Sequence, residues 1–207
     1  KSWKTTDPNT WIFTLREDVK FSDGSAMTSS DVVFSVLRAK QRTYDFKEYI
    51  STISGVEAVG DYSVKIITSK PNPILLNQLS NIFIMSKAWS EENFAMSPQN
   101  WDAGQETYSA TNALGTGPFK ITLREPNPKT VFKRNKHWWG EMTDKKVTQI
   151  ELLPIKNAAT RVAALLSGEI DIVTDAPVQD LARIGSSSAH KVESTAQMRT
   201  IFLGMDQ

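Results

Sequence analysis

Residues Trp11-Ile12-Phe13-Thr14-Leu15 place Trp11, Phe13 and Leu15 on one side of an extended chain, the two-residue period of a half-buried strand. Val19 and Phe21 continue a second short alternation, which Asp23-Gly24 ends in a turn. Thr28-Ser29-Ser30-Asp31 then combines residue types that cap helices with an acid suited to a first turn, and Val32, Val33, Val36 and Leu37 follow at helical spacing. This predicts a helix over about 30–40. The polar-aromatic stretch 41–51 predicts a loop or a broken helix. Residues 56–59 and 62–66, joined by Gly60-Asp61, predict a hairpin with Tyr62, Val64 and Ile66 on one face. Pro71 and Pro73 stop it, 74–79 suits a short helix, 81–86 a short apolar strand or turn, and 97–112 a long loop.

Gly115-Thr116-Gly117-Pro118 opens a second region. Phe119, Ile121 and Leu123 alternate, Glu125-Pro126-Asn127-Pro128 turns, and Val131-Phe132-Lys133 returns, a second hairpin. A strand over 147–153 ends at Pro154. A helix over 157–167 carries the stripe Ala158, Val162, Leu165 and Leu166, with Gly168 in the position of a helix stop. A short strand at 170–173, a helix over 177–184 with Gly185 after it, and a strand at 200–203 complete the chain. Hairpins and helices interleave irregularly, which places the chain in the α/β class. The last strand reaches almost to the final residue, so we expect a piece of a longer polypeptide.

Composition narrows the functional classes. The 207 residues carry 24 Lys+Arg and 23 Asp+Glu, a formal net charge of +1. That balance gives no electrostatic reason to expect nucleic acid or an anionic membrane surface as partner. Cysteine is absent, which removes disulfides, thiolate metal sites and cysteine nucleophiles. No apolar run approaches the roughly 20 residues that span a bilayer.

Candidate chemistry is sparse. His137 and His190 are far apart and lack the spacing of a zinc site, so a packed or surface ring is expected for His137. Gly115-Thr116-Gly117-Pro118-Phe119-Lys120 lacks the spacing and the Lys-Ser/Thr pair of a phosphate loop, and Pro118 has no N–H to offer a phosphate, so a tight turn is expected. Glu169 and Asp171 would share one side of a strand, where a solvated face is favoured over an acid pair. No nucleophile, base and orienting group fall together, and the chain reads as non-enzymatic with no metal or cofactor. Aromatics stand out instead: Tyr44, Phe46 and Tyr49 lie in a polar stretch, and Trp89 and Trp101 in the loop-like segment after Met85. Side chains of this kind line ligand clefts as well as packing loops.

Several stretches together resemble one family. They are Thr10-Trp11-Ile12-Phe13-Thr14-Leu15-Arg16-Glu17-Asp18-Val19-Lys20-Phe21-Ser22-Asp23-Gly24, then Ser30-Asp31-Val32-Val33-Phe34-Ser35, then Gly115-Thr116-Gly117-Pro118-Phe119. Arg134-Asn135-Lys136-His137-Trp138-Trp139-Gly140 and Arg161-Val162-Ala163-Ala164-Leu165-Leu166-Ser167-Gly168-Glu169-Ile170-Asp171 follow. In order and spacing they are similar to the family 5 extracellular solute-binding proteins, the peptide/nickel/opine receptors of bacterial ABC importers. Ser22 and His137 stand where the family more often has His and Tyr.

The resemblance implies an α/β, mixed-sheet first lobe of a two-lobed fold of the type II periplasmic-binding-protein kind, with the second lobe absent from this chain. Residues 1–112 would form the smaller subdomain of that lobe, and 113–207 the core subdomain ending at the hinge strand. The implied function is capture of a peptide or similar small organic solute outside the cytoplasmic membrane, in the periplasm or extracellular space, and delivery to an ABC permease. Implied partners are the solute, the permease and the missing second lobe of the parent chain. By position in the family, Tyr44, Phe46, Asn81 and Ile82 would line the ligand cleft. Ile82 occupies the place of an arginine that nickel-chelate binders use, which speaks against a nickel chelate. A ligand-sensing domain of a transcription regulator is the alternative, since some regulators carry a domain resembling this family.

Overall fold

Residues 10–14 form the second strand of a four-stranded sheet. The strands are β1 (Ser2–Asp7), β2 (Thr10–Thr14), β3 (Ile53–Ala58) and β4 (Ser63–Thr68), in the order β1-β2-β4-β3. The computed structural model describes residues 1–41, 46–104, 106–125, 127–142 and 146–196. β2 lies between β1 and β4, with Trp11 opposite Ile66 and Phe13 opposite Val64. The predicted hairpin is present as β3 and β4, and Gly60 takes the left-handed conformation its turn requires. β1 is exposed along its whole length and has no apolar alternation. It is held by its backbone ladder to β2 and by the Trp3 ring against Trp11, 5.3 Å between centroids.

One face of this sheet is covered by α1 (Ser29–Ala39). Trp11, Val36, Ala39, Ile53, Val64 and Ile66 form the main core, which Ile50, Leu75 and Ile82 close from the side. The Asp31 carboxylate sets where α1 begins, accepting the Thr28 N–H at 2.8 Å and the Thr28 hydroxyl at 3.2 Å. Its other oxygen accepts the Lys87 N–H at 2.9 Å. Asp31 is 6% exposed, so one buried acid joins the start of α1 to the start of α3 (Lys87–Glu92). Residues 47–50 form a 3-10 turn packed against α2 (Leu75–Leu79), the short helix expected there. Residues 82–86 make no strand pairing. α3 falls where a loop was expected. Its only local sequence signal is Ser86, whose hydroxyl accepts the Trp89 N–H at 3.3 Å.

A second sheet, β5 (Phe119–Glu125), β6 (Lys129–Arg134) and β7 (Gln149–Leu152), is the second hairpin plus the strand before Pro154. Every strand pairing among the described residues is antiparallel. Both sheets belong to one unit, Lys1–Leu153, and Pro154–Gln207 forms another. The boundary expected after residue 112 falls between the two sheets, inside the first unit.

In the second unit, α4 (Ala158–Ser167) matches its predicted span. The Asn157 side chain accepts the Thr160 N–H at 3.0 Å, and Gly168 closes the helix at φ 79. Val162 and Leu165 pack on Ile184 of α5 (Leu181–Gly185), which follows a 3-10 turn at Val178–Asp180. Gly185 lies within α5 rather than after it. The strand expected at 170–173 is not formed. Ile170 and Val173 instead pack against the helical cluster, and no strand lies beside them among the described residues of this unit. The strand expected at 200–203 lies outside the described residues.

Asp31→Ala takes the acceptor from the part-buried N–H groups of Thr28 and Lys87, so it should destabilise the fold by about 2 kcal/mol. Urea unfolding measures this. A loss under about 1 kcal/mol would mean that the acid does not tie α1 to α3.

Candidate functional site

The segments flanking two of the expected ligand residues share one edge of the first unit. Ile50, fully buried, anchors the 3-10 turn 47–50 against α2. Asn72, also buried, fastens α2 from below, its amide donating to Thr52 Oγ1 at 2.8 Å and Gln78 Oε1 at 2.7 Å. On this base the Phe46 ring meets Tyr49 at 5.8 Å, and both stay more than two-fifths exposed, at 42% and 43%. An aromatic pair left in water beside a packed core is a ready apolar platform.

Asn81 lies just past the end of α2, where its amide donates to the carbonyls of Gln78 at 3.3 Å and Asn77 at 3.4 Å. Its donors thus cap the helix, and its carbonyl oxygen is the group left for an incoming partner. Ile82 points the other way. It is 8% exposed and belongs to the main core, so its side chain supports the edge from within. The neighbouring Phe83 is exposed instead, a residue that the reading of 81–86 as one apolar run did not single out. Tyr44 lies outside the described residues.

Three of the recognisable sequence stretches converge elsewhere, where the two sheets join. The Ser22 N–H donates to Gly115 O at 3.0 Å. From the other side, the buried Asn135 donates its amide to Gly117 O and its backbone N–H to Pro118 O, both at 2.8 Å, while its side-chain oxygen accepts the His137 N–H at 2.9 Å. The 115–118 segment therefore presents carbonyls to protein donors, as a strap that bends at Gly117-Pro118 where a tight turn was expected.

His137 packs its ring over Gly24. A β-carbon at Gly24 would lie 3.1 Å from Nε2, and its φ of 102 already favours glycine. Gly140 admits Trp138 in the same way, since a β-carbon there would fall 2.6 Å from the indole. Arg16 pairs with Asp18 through two bonds of 3.0 and 2.7 Å, and its guanidinium lies 4.6 Å from the centre of the Trp139 ring. Burial pushes the Asp23 carboxyl up, but hydrogen bonds from the Ser25 hydroxyl and N–H, with the positive field of His137, outweigh it and hold the group below the usual carboxylate range.

Glu169 and Asp171 are both exposed. Among the described residues no three His, Asp or Glu side chains gather as a metal site, and no helix is long and apolar enough to cross a membrane.

Asn135→Ala should cost about 2–3 kcal/mol, because the Gly117 carbonyl and the His137 N–H both lose their partner. Asn135→Asp should cost at least as much, since it sets an acceptor against the Gly117 carbonyl. Denaturant midpoints of the two variants test this, and an unchanged midpoint for either would rule out the strap as a stabilising joint. A depressed carboxyl stabilises the fold above the unfolded pKa and loses that contribution as pH falls through the folded one. Stability should therefore fall as pH drops below about 4, and Asp23→Asn should flatten part of that fall in a pH series of thermal unfolding.

Comparison with known proteins gives the joint and the edge their context. Across residues 1–207 the chain matches the family model described as bacterial extracellular solute-binding proteins, family 5 Middle. It is 26% identical to the periplasmic murein peptide-binding protein MppA of Escherichia coli K12, over 97% of this chain and 39% of that protein. It is 27% identical to the nickel-binding periplasmic protein of the same strain, over 100% of this chain and 39% of that one. The solved structure of AgaA in complex with agropinic acid, from A. tumefaciens R10, shares the fold with a TM-score of 0.77 at 24% identity, over 90% of this chain and 36% of that one. The chain thus spans about two-fifths of the length of the curated relatives it matches, at 39% for both. With the α/β fold and the converging stretches in place, the chain belongs to the bacterial extracellular solute-binding proteins of family 5.

Proposed function

We propose that this chain is part of the solute-capturing lobe of an ABC importer's binding protein, acting in the periplasm or outside the cell and handing its cargo to a membrane permease. The observation that carries the reading is the aromatic edge. Phe46 and Tyr49 stand exposed on a turn anchored by fully buried Ile50 and packed against α2, the helix that Asn81 follows. Such an edge is rigid underneath and apolar on top, with a polar atom alongside, which suits an organic solute.

Capture then needs no bond chemistry. Two lobes close about a hinge, and the closed form is populated because the ligand contacts both. In this reading residues 1–112 are the smaller subdomain of one lobe and 113–207 its core. Tyr44 and Phe46 offer ring faces to the solute, the Asn81 side-chain oxygen accepts from it, and Ile82 holds that stretch in register through the core. A peptide or similar organic solute fits these groups best. The apolar, buried Ile82 offers nothing to a nickel chelate. The relatives reported above bind a murein peptide, nickel and agropinic acid, and none is a transcription regulator, which favours a receptor over a sensor domain.

Thermal-shift screening of the full-length protein against short peptides, opines, oligosaccharides, glutathione, haem and nickel chelates tests the proposal. A cognate ligand at about 100 times its Kd should add roughly 2.7 kcal/mol of stability. Phe46→Ala should leave the unliganded melting temperature almost unchanged and weaken binding about tenfold, the loss of one stacked ring. Full-affinity binding by Phe46→Ala would remove this edge from the site, and silence across every class would sink the receptor reading.

A further inference from the structure

A recess lies at the C-terminal end of α3 and shares no lining residue with the edge just described. α3 ends in a Schellman motif: the Phe94 N–H donates to Glu91 O at 3.4 Å and the Ala95 N–H to Ser90 O at 2.8 Å. The residue between must take a left-handed backbone, and it is Phe94, at φ 54. Glycine fills such a position without steric cost, whereas a bulky side chain strains it. Packing does not offset the strain, because the Phe94 side chain is 93% exposed.

Phe94 instead stands at the rim of a shallow surface recess of about 650 Å³, lined also by Glu92, Asn93, Glu106, Thr107 and Tyr108. The Tyr108 ring is held in place by Trp89, 5.7 Å between centroids. Two of the polar lining groups are already engaged. The Asn93 amide turns back to Trp89 O at 2.8 Å, and the Thr107 hydroxyl bonds the Ser109 hydroxyl at 3.0 Å. That leaves the Tyr108 hydroxyl and the carboxylates of Glu92 and Glu106, and neither carboxylate forms an ion pair among the described residues.

Two aromatic rings and two carboxylates around one recess discriminate by charge. A cation gains from the negative faces of the rings and from both carboxylates, an anion is repelled, and a neutral solute gains from the rings alone. We propose that this recess binds a small organic cation of the alkylammonium or guanidinium class.

Choline and its uncharged carbon isostere, titrated separately into the full chain and followed by backbone NMR, test this. Choline should give saturable shifts centred on Phe94, Glu106 and Tyr108, with the isostere about tenfold weaker. Glu106→Gln should close most of that difference. Phe94→Gly relieves the left-handed strain, so it should melt no lower than the parent while binding choline several-fold more weakly. Equal binding of choline and the isostere, no saturable shift with choline, or unchanged binding by Phe94→Gly would each overturn the proposal. So would a Phe94→Gly chain less stable than the parent, since Phe94 would then be explained as a structural residue.

Discussion

The strap at 115–118 is held from both sides by groups that have no other way to be satisfied. Ser22 and Asn135 are buried, and the hydrogen bonds they make to the Gly115, Gly117 and Pro118 backbone carry the chain from one sheet into the next. An unpaired buried amide or carbonyl costs more than a made bond returns, so the joint is stable because its failure is expensive. Gly24 and Gly140 belong to the same constraint. Each lacks a side chain where a ring, His137 or Trp138, lies against the backbone. Three of the five recognisable stretches are therefore parts of a joint.

α1 plays a comparable role inside the first unit. Four of its polar side chains are buried, and each bonds a later part of the chain. Ser29 donates its hydroxyl to Gly60 O at 2.6 Å. Asp31 accepts from Lys87, Ser35 accepts the Met85 N–H at 2.8 Å, and Arg38 donates to the carbonyls of Ala95 and Ser97, both at 3.0 Å. A stretch with little regular structure after residue 93 is thereby fastened to the helix. The residue after Phe94, fully buried Ala95, is held by this fastening, while the aromatic pair Phe46–Tyr49 is anchored by buried Ile50 in the apolar core. Exposed aromatics can serve recognition when their supports do not move, because little side-chain freedom is then lost on binding.

The legible parts of the chain were those whose signal is local. α1 and α4 announce themselves by caps and a helical stripe, and the two hairpins by alternation across a turn. β1 and α3 escaped because neither carries an apolar pattern. β1 exists through its ladder to β2, and α3 through Ser86 and the reach of Asp31. Residues 170–173 misled in the opposite sense: their alternation suits a strand, but a strand needs a neighbour to bond, and a helical cluster took their side chains instead.

The sequence by itself determined the α/β class, most helix and hairpin positions, the absence of cysteine chemistry and the family resemblance, since all of these rest on residue type and short-range spacing. Tertiary structure decided what each conspicuous residue does. Ile82 became core and Phe83 surface, Asn81 a helix cap with one oxygen to spare, and Phe94 the exposed rim of a recess. Periodicity tells which side of an element is apolar, but burial depends on what packs against that side, and at these positions the partner comes from a distant part of the chain.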